Sequence, residues 1–157
     1  MEPRLNLFEN PLGAKFAQRF ATASLVIHQS TLPPAIRELV SLRASQINGC
    51  GWCVDHHTKE AAAAGESELR LHLVAAWRET TVFTEAERAA LALAEEGTRI
   101  ADASTGISDD TWQAVRKHYD EEQVAALIAV IAVINAWNRM NVIAGTPAGG
   151  YQPGMFG

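Results

Sequence analysis

Apolar residues along most of this chain recur at intervals of three and four positions, which is the spacing of one face of an α-helix. In the first such segment the apolar side chains are Phe16, Phe20 and Ile27, and they follow Asn10-Pro11, a capping residue with proline at the first helical position. No segment shows the alternation, bounded by hairpin turns, that is typical of β-strands. The pattern therefore predicts an all-α protein with short connections.

Residues that begin and end helices divide this pattern into about six to seven helices. A capping side chain followed three residues later by Glu or Gln is typical of a helix start, and glycine is typical of the position after a helix end. The predicted helices run over about 11–29, from Pro33-Pro34 to Asn48, from within Cys50–Cys53 to Ala64, over about 67–77, from Thr84 to about 101, from Ser108 to His118, and from Asp120 to Gly145.

The chain shows no internal repeat and no break in composition, which predicts a single domain over residues 1–157 with its core at about 15–145. The last segment, 146–157, is rich in glycine and proline and is expected to be a C-terminal tail, in which Tyr151 and Phe156 can dock on a neighbouring surface. With 157 residues, of which 48% are hydrophobic and 20% charged, the chain is long enough to bury a core without disulfide staples.

Charge and hydropathy argue against two classes of partner. The 13 basic residues are scattered and outnumbered by 18 acidic ones, and the resulting net charge of −5 is the wrong field for binding nucleic acid. The most apolar run, from Val124 to Ile134, is interrupted by Asn135 and falls short of the roughly 20 residues that span a bilayer, so we expect a buried core helix and no membrane association. The N-terminus lacks the features of a secretory signal, which favours a cytoplasmic location.

The two cysteines of the chain both lie in Cys50-Gly-Trp-Cys53. A single pair of this kind is not the disulfide framework of a small secreted protein, and it indicates redox chemistry or metal binding. Because the third predicted helix begins at this motif, its free N–H groups and the positive end of its dipole stabilise a thiolate. A fall in one thiol pKa from about 8.5 to about 6.5 would raise the thiolate fraction at pH 7 from about 3% to about 75%.

Two further side chains are candidates for proton transfer at these cysteines. His57 follows Cys53 by four residues and Cys50 by seven, which puts its imidazole on the same helix face as both sulfurs. Glu38, on the preceding helix, supplies a carboxylate of the kind that fixes a histidine tautomer and stabilises the imidazolium. Sequence spacing alone does not bring Glu38 and His57 together, so their contact is an expectation.

These four residues have the spacing Glu-x11-Cys-x2-Cys-x3-His, within ELVSLRASQINGCGWCVDHHTKEA. In this motif the chain resembles the AhpD-like alkylhydroperoxidases of the carboxymuconolactone decarboxylase superfamily. The resemblance continues in FTEAERAALALAE, at 83–95, and in INAWNRMNV, at 134–142, so that it covers about 15–145. It implies an AhpD-like helical domain that assembles into homo-oligomers, commonly trimers or hexamers, with the active site close to subunit contacts.

The resemblance also implies a role for each residue. Cys53 would attack a hydroperoxide and become a sulfenic acid, and Cys50 would resolve that species as a disulfide. His57 and Glu38 would relay the proton. No organic or metal cofactor is implied, whereas an external dithiol, which in the family can be a protein-bound lipoyl group, must reduce the disulfide again. Decarboxylation is not implied, because the branch that names the superfamily works without such a cysteine pair.

Trp52 is a departure from the family pattern, since AhpD-type members can carry a relay histidine directly before the second cysteine. His56 lies near the same helix face and is a candidate to assist, while the ring of Trp52 can instead shape an apolar peroxide site. Two alternatives to a peroxidase stay open. One is a non-catalytic module that responds to oxidants through its thiols, and the other is a zinc-responsive module in which the four residues of the motif are the metal ligands.

Overall fold

Seven α-helices and one 3₁₀ helix make up the fold of the computed structural model, which describes residues 2–103 and 106–155. No strand is present within these ranges, so the all-α prediction is confirmed. The α-helices are α1 (Pro11–His28), α2 (Pro34–Asn48), α3 (Gly51–Ala63), α4 (Glu68–Leu73), α5 (Glu85–Thr98), α6 (Asp109–His118) and α7 (Glu121–Ala144), and the 3₁₀ helix (Val74–Glu79) directly follows α4.

Helix starts follow the capping signals of the sequence. Thr84 before α5 and Asp120 before α7 each accept a hydrogen bond from the backbone N–H three residues further on, and the side chains of Glu87 and Gln123 accept from the N–H of the capping residue. Each reciprocal pair satisfies N–H groups that the helix itself leaves without a partner. Both predicted capping boxes are therefore present.

The link between α2 and α3 consists of only two residues, Gly49 and Cys50. Gly49 has a left-handed φ of 67°, a conformation that glycine adopts without the steric cost that a Cβ imposes. Cys50 is the N-cap of α3. This short turn brings the end of α2 next to the start of α3, and the two helices pack against each other.

α2 is the central helix of the fold, because it packs against α3, α5 and α7. Two apolar clusters surround it. The larger one includes Val40 and Leu127 and lies between α2, α5, α6 and α7. The smaller one includes Leu39 and Leu91 and joins α2, α3 and α5 to the segment 68–79. The position of α2 fixes where its polar side chains meet the neighbouring helices.

The apolar run from Val124 to Ile134 lies within α7, where Leu127 and Val130 belong to the larger cluster. The predicted core helix is therefore confirmed. Among the described helices only α7 is long and apolar enough to cross a membrane, a criterion that the central helix of a soluble protein also meets.

The fourth helical segment departs from its predicted form. α4 ends at Leu73, and the 3₁₀ helix that follows is interrupted at Ala76, where φ is −115° and ψ is 24°. The interruption immediately precedes Trp77, which is buried and donates its indole N–H to Glu95 at 3.0 Å. The burial of this ring with its N–H hydrogen-bonded is a tertiary interaction, which the local apolar pattern of the sequence does not predict.

α1 is only partly covered by the rest of the chain. Ile27 is buried in the larger cluster, but Phe16, which belongs to the same predicted apolar face, is 55% exposed. The other large apolar side chains exposed on α1 and on the neighbouring helix α7 are Leu12, Leu25, Val26, Ile128, Val142 and Ile143. An exposed apolar patch of this size is typical of a surface that contacts a partner.

Candidate active site

Cys50 and Cys53 form a disulfide at the N-terminus of α3, with their Cα atoms 5.3 Å apart. The Cys50 Sγ atom caps the helix by accepting the backbone N–H of Cys53 at 3.3 Å. Each cysteine is only 1% exposed. The structure therefore has the pair at a helix start, where the sequence predicts it, in an oxidised and buried form.

His57 and Glu38 meet where α3 packs on α2. The His57 Nδ1 atom lies 2.8 Å from Glu38 Oε2, and both side chains are partly buried. A carboxylate at this distance orients the imidazole ring and leaves Nε2 to exchange a proton with a third group. The contact that sequence spacing left open is therefore made, one helical turn beyond Cys53.

The two sulfurs lie in a small apolar cluster between α2, α3 and α7. Its other buried members are Ala44 and Ile134, and the rings of Trp52 and Trp137 pack against it. Such surroundings exclude water and disfavour a thiolate unless hydrogen-bond donors are aimed at the sulfur. The donors around the cysteines therefore decide whether a thiolate forms.

One such donor comes from a distant part of the chain. Asn141, a buried residue of α7, donates its amide to Cys53 Sγ at 3.6 Å and to the Trp137 carbonyl oxygen at 3.1 Å. The pattern of the sequence does not single out Asn141, although it lies in the INAWNRMNV block that carries part of the family resemblance. That block, and the presence of an amide at the end of a predicted core helix, are the signals that point to Asn141.

Polar side chains also connect α2 to α7 beside the cysteines. The Asn48 amide donates to Asn135 Oδ1 at 2.9 Å and to Asn138 Oδ1 at 2.8 Å, and the Asn138 amide donates to Ser45 Oγ at 3.0 Å. Removing one partner would leave buried polar groups unpaired, which is costly. This amide network holds the end of α2, and with it the turn that begins α3, against α7.

The C-terminal segment packs on the outer face of α3. Asp55 accepts from the backbone N–H groups of Gly149, at 2.8 Å, and Tyr151, at 3.3 Å, and Lys59 donates to the carbonyl oxygens of the same two residues. Phe156, which the sequence also suggested as a docking residue, lies outside the described residues. The segment 149–151 is thus bound to the helix that begins with the cysteine pair.

Tyr151 brings this segment to the aromatic side chains of α3. It is 3% exposed, and its ring centroid lies 4.3 Å from that of His56 and 6.0 Å from that of Trp52. Trp52 and His56 are themselves stacked at 5.3 Å. The Tyr151 hydroxyl donates to Glu60, and burial together with this hydrogen bond raises the pKa of Tyr151 to about 12.

Replacing Tyr151 with alanine is expected to lower the free energy of unfolding by about 2 kcal/mol, because a buried ring and its hydrogen bond are lost while the segment can detach locally. Urea denaturation followed by circular dichroism measures the change. The matched control is Gln152→Ala at an exposed neighbouring position, which is expected to stay within about 0.5 kcal/mol of the parent protein. Equal stabilities for the two variants would show that the docked segment contributes nothing.

His56 is held neutral by its surroundings. Burial, and after it the neighbouring His57, lower the pKa of His56 from 6.5 to about 4, against the opposing effects of Glu38, Glu60 and Asp55. The ring of His56 lies 4.7 Å from that of His57, almost perpendicular to it. At neutral pH the pair of adjacent histidines therefore has one uncharged member fixed by stacking.

The depressed pKa of His56 makes part of the stability depend on pH. Between pH 6.5 and pH 4 His56 is protonated in the unfolded chain but stays neutral in the folded protein. The free energy of unfolding therefore falls as the pH is lowered through this window. Because the side chain is partly exposed, we expect a contribution of about 1–2 kcal/mol. The free energy of unfolding of the parent protein should therefore fall by about 1–2 kcal/mol more than that of His56→Gln when the pH is lowered from 7.5 to 4.5. Urea denaturation at the two pH values measures this difference. Parallel losses in the two proteins would contradict this expectation.

The described part of the chain contains no group of three or more His, Cys, Asp or Glu side chains arranged to hold a metal ion. In the hypothetical zinc site the cysteine ligands would be thiolates, and the disulfide leaves no thiolate to bind a metal. Of the four residues of the motif, only Glu38 and His57 could then coordinate zinc. The zinc alternative therefore applies only to the reduced protein.

A model of the carboxymuconolactone decarboxylase family matches residues 11–96, which is more than half of the chain. The matched range contains Glu38, Cys50, Cys53 and His57. It ends within α5, before the α6 and α7 helices.

Two relatives differ in how much of the chain they match. The uncharacterized protein YdfG of Bacillus subtilis (strain 168) is 42% identical over 120 residues, which are 76% of this chain and 80% of that protein. The alkyl hydroperoxide reductase AhpD of Rhodopseudomonas palustris (strain BisB18) is 43% identical over 63 residues, which are 38% of this chain and 35% of that protein. The relative with a named activity is thus similar over a short segment.

Solved structures extend the likeness to the whole fold. A protein of unknown function from Agrobacterium tumefaciens, suggested to be an antioxidant defence protein AhpD, is 34% identical, with a TM-score of 0.86 over 96% of this chain and 100% of that chain. The debrominase Bmp8, at 22% identity and a TM-score of 0.75 over 87% of this chain and 73% of that chain, shares the fold alone. The resemblance indicated by the sequence motif is therefore confirmed, and this chain belongs to the carboxymuconolactone decarboxylase family as an AhpD-like member.

Proposed function

We propose that this protein is a thiol-dependent peroxidase of the alkyl hydroperoxide reductase type, with Cys53, Cys50, His57 and Glu38 as its reacting groups. The observation that carries the proposal is the combination of a disulfide at the start of α3 with a 2.8 Å contact between His57 and Glu38 one turn further on. Membership of the family, which includes a relative named as an alkyl hydroperoxide reductase, supports the same activity.

The catalytic cycle begins with the reduced pair. The Cys53 thiolate attacks one oxygen of the hydroperoxide, the O–O bond breaks, and the departing alkoxide takes a proton to become an alcohol while Cys53 becomes a sulfenic acid. The Cys50 thiol then attacks the Cys53 sulfur, the disulfide forms, and the displaced hydroxide leaves as water with the Cys50 proton. An external dithiol exchanges with the disulfide, which restores both thiols and oxidises the dithiol.

The proton transfers in this cycle are assigned to His57. Its Nδ1 atom is engaged by Glu38, so Nε2 is the atom that takes the Cys53 proton and returns one to the alkoxide. The Glu38 carboxylate stabilises the imidazolium that exists between these two transfers. His56, which is neutral near pH 7, does not supply a second charge.

An alkyl hydroperoxide fits the surroundings of the sulfurs better than hydrogen peroxide does. Ala44, Ile134, Trp52 and Trp137 make up the apolar cluster around the cysteines, and the burial of an alkyl group among such side chains is favourable. Trp52, which replaces a relay histidine of AhpD-type members, contributes a wall of this site. We therefore infer that the substrate class is an organic hydroperoxide.

The proposed assembly is a homo-oligomer, a trimer or hexamer, located in the cytoplasm. Its support is the set of exposed apolar side chains on α1 and α7, among them Phe16, Val26 and Ile143. The ring of Trp137, beside the cysteines, contacts Phe20 of α1 at 5.1 Å, so a partner subunit bound on α1 would lie close to the reacting sulfurs. The reductant is proposed to be a small dithiol or a lipoyl-bearing protein.

Peroxide consumption by the reduced full-length protein tests the proposal. With cumene hydroperoxide and dihydrolipoamide, continuous turnover to the alcohol is expected, at a higher rate than with hydrogen peroxide. Loss of two thiols per chain without turnover would instead favour a module that senses oxidants. Tight binding of one zinc ion per reduced chain, with no peroxide consumed, would favour the zinc alternative.

A further inference from the structure

Asn141 is the polar side chain of α7 that contacts a reacting sulfur. Its amide donates to Cys53 Sγ at 3.6 Å, and the residue is 4% exposed. The amide also donates to the carbonyl oxygen of Trp137, one turn earlier in the same helix, which fixes the direction of the side chain. No solvent molecule needs to intervene between this donor and the sulfur.

The two sulfurs receive different donors. Cys50 Sγ accepts the backbone N–H of Cys53 at 3.3 Å, as a helix cap, whereas Cys53 Sγ accepts the side-chain amide of Asn141 from another helix. A backbone donor is present in every variant of the chain. A side-chain donor can be removed by substitution, so the environment of Cys53 can be changed without altering that of Cys50.

The position of Asn141 is set by the helix that carries it. Asn138, three residues earlier on α7, is 1% exposed and is tied to α2 through Ser45 and Asn48. Ile134, one further turn back, packs in the cluster of the cysteines. Residues at this spacing share a helix face, so the amide of Asn141 is presented to the sulfur by a face already anchored to α2.

We propose that Asn141 stabilises the thiolate of Cys53, the sulfur that is proposed above to attack the substrate. A donor to an ionised sulfur in an apolar cluster interacts more strongly with the thiolate than with the thiol. It therefore favours ionisation of the sulfur that it contacts. The inference rests on the proposed redox activity of the Cys50–Cys53 pair, but it concerns the ionisation of one thiol and does not depend on which oxidant reacts.

The test uses the full-length protein in a Cys50→Ser background, where Cys53 is the only thiol. The rate of alkylation by iodoacetamide is measured from pH 4 to pH 10, and its midpoint gives the pKa of Cys53 directly. Asn141→Leu, which removes the donor, is expected to raise this pKa by about one unit, so that alkylation below the pKa slows about tenfold. Asn141→Asp, which keeps the shape and replaces the donor by a carboxylate, should raise it further.

The Leu variant decides the test, because a carboxylate next to the sulfur raises the pKa of the thiol by charge repulsion whatever the amide does, so the Asp variant shows only that position 141 lies beside Cys53. If Asn141 only fills space, the midpoint of Asn141→Leu will equal that of the parent, and this result overturns the proposal. Thr111→Val is the control, because Thr111 is a buried polar residue of α6 whose hydroxyl donates to Glu96 at 2.6 Å, outside the amide network beside the cysteines. Its alkylation midpoint should stay at the parent value. A shifted midpoint in Asn141→Leu would support this inference even if the protein consumed no peroxide. The failure of this inference can therefore be distinguished from the failure of the proposed function.

Discussion

Replacing Cys53 with serine is expected to abolish peroxide consumption supported by a dithiol, with a loss of at least about a thousandfold. A serine hydroxyl is not ionised near neutral pH and does not become a sulfenic acid, so the first step of the proposed cycle has no nucleophile. The measurement is the decrease of cumene hydroperoxide in the presence of dihydrolipoamide, with the reduced parent protein assayed at the same concentration.

Cys50→Ser is the matched variant for this experiment. It retains the attacking sulfur and loses the resolving one, so the reduced variant, assayed without added dithiol, should consume about one equivalent of peroxide per chain and then stop. A dimedone adduct located on Cys53 by mass spectrometry would identify the trapped sulfenic acid. Should Cys53→Ser consume one equivalent while Cys50→Ser consumes none, the two cysteines have the opposite roles.

The second large effect is expected at His57. Removal of a general base typically costs a factor of about 10²–10⁴ in rate, and because Cys53 also lies at a helix start, we expect a loss of about a hundredfold for His57→Ala. Glu38→Gln, which keeps a hydrogen-bonding side chain without its charge, should lose about tenfold. The rate of peroxide reduction at several pH values measures both effects, since loss of the base should shift the rising limb of the profile to higher pH.

The double variant His57→Ala/Glu38→Gln is diagnostic, because Glu38 is proposed to act through the imidazole. Its rate should match that of His57→Ala alone, as expected for groups that function as one unit. Multiplication of the two losses would show that Glu38 acts independently. His72→Ala, at an exposed position of α4, is the control and should leave the rate unchanged.

Local signals in the sequence are sufficient for most of the helices. The capping boxes at Thr84 and Asp120 and the left-handed Gly49 act within a few residues, so the pattern around them predicts where helices begin and end. The break at Ala76 is different, because it accompanies the burial of Trp77 against α5. Such contacts join residues that are far apart in the chain, so a local sequence pattern does not predict them.

The same distinction applies to the candidate site. His57 and Glu38 are separated by 19 residues on consecutive helices, and the family motif identifies them. Asn141 reaches Cys53 across 88 residues, and the contact depends on how α7 packs against α3. Tyr151 likewise reaches α3 from a glycine-rich segment whose composition indicates a tail. Phe16 follows a helical apolar pattern but is exposed, and periodicity alone does not distinguish a buried apolar face from an exposed one.

The two-residue turn at Gly49 and Cys50 limits how this region can change during evolution. A turn of two residues cannot accommodate an extra residue, and inserting or deleting one residue within α2 or α3 between Glu38 and His57 would rotate the residues beyond it by about 100°, since each residue of an α-helix turns by that angle. His57 would then leave Glu38, and the amide of Asn141 would no longer meet the sulfur. In homologues that keep the carboxylate–imidazole contact beside the cysteine pair, insertions and deletions are therefore expected outside the interval 38–57, because the number of residues in this interval determines whether the two side chains meet.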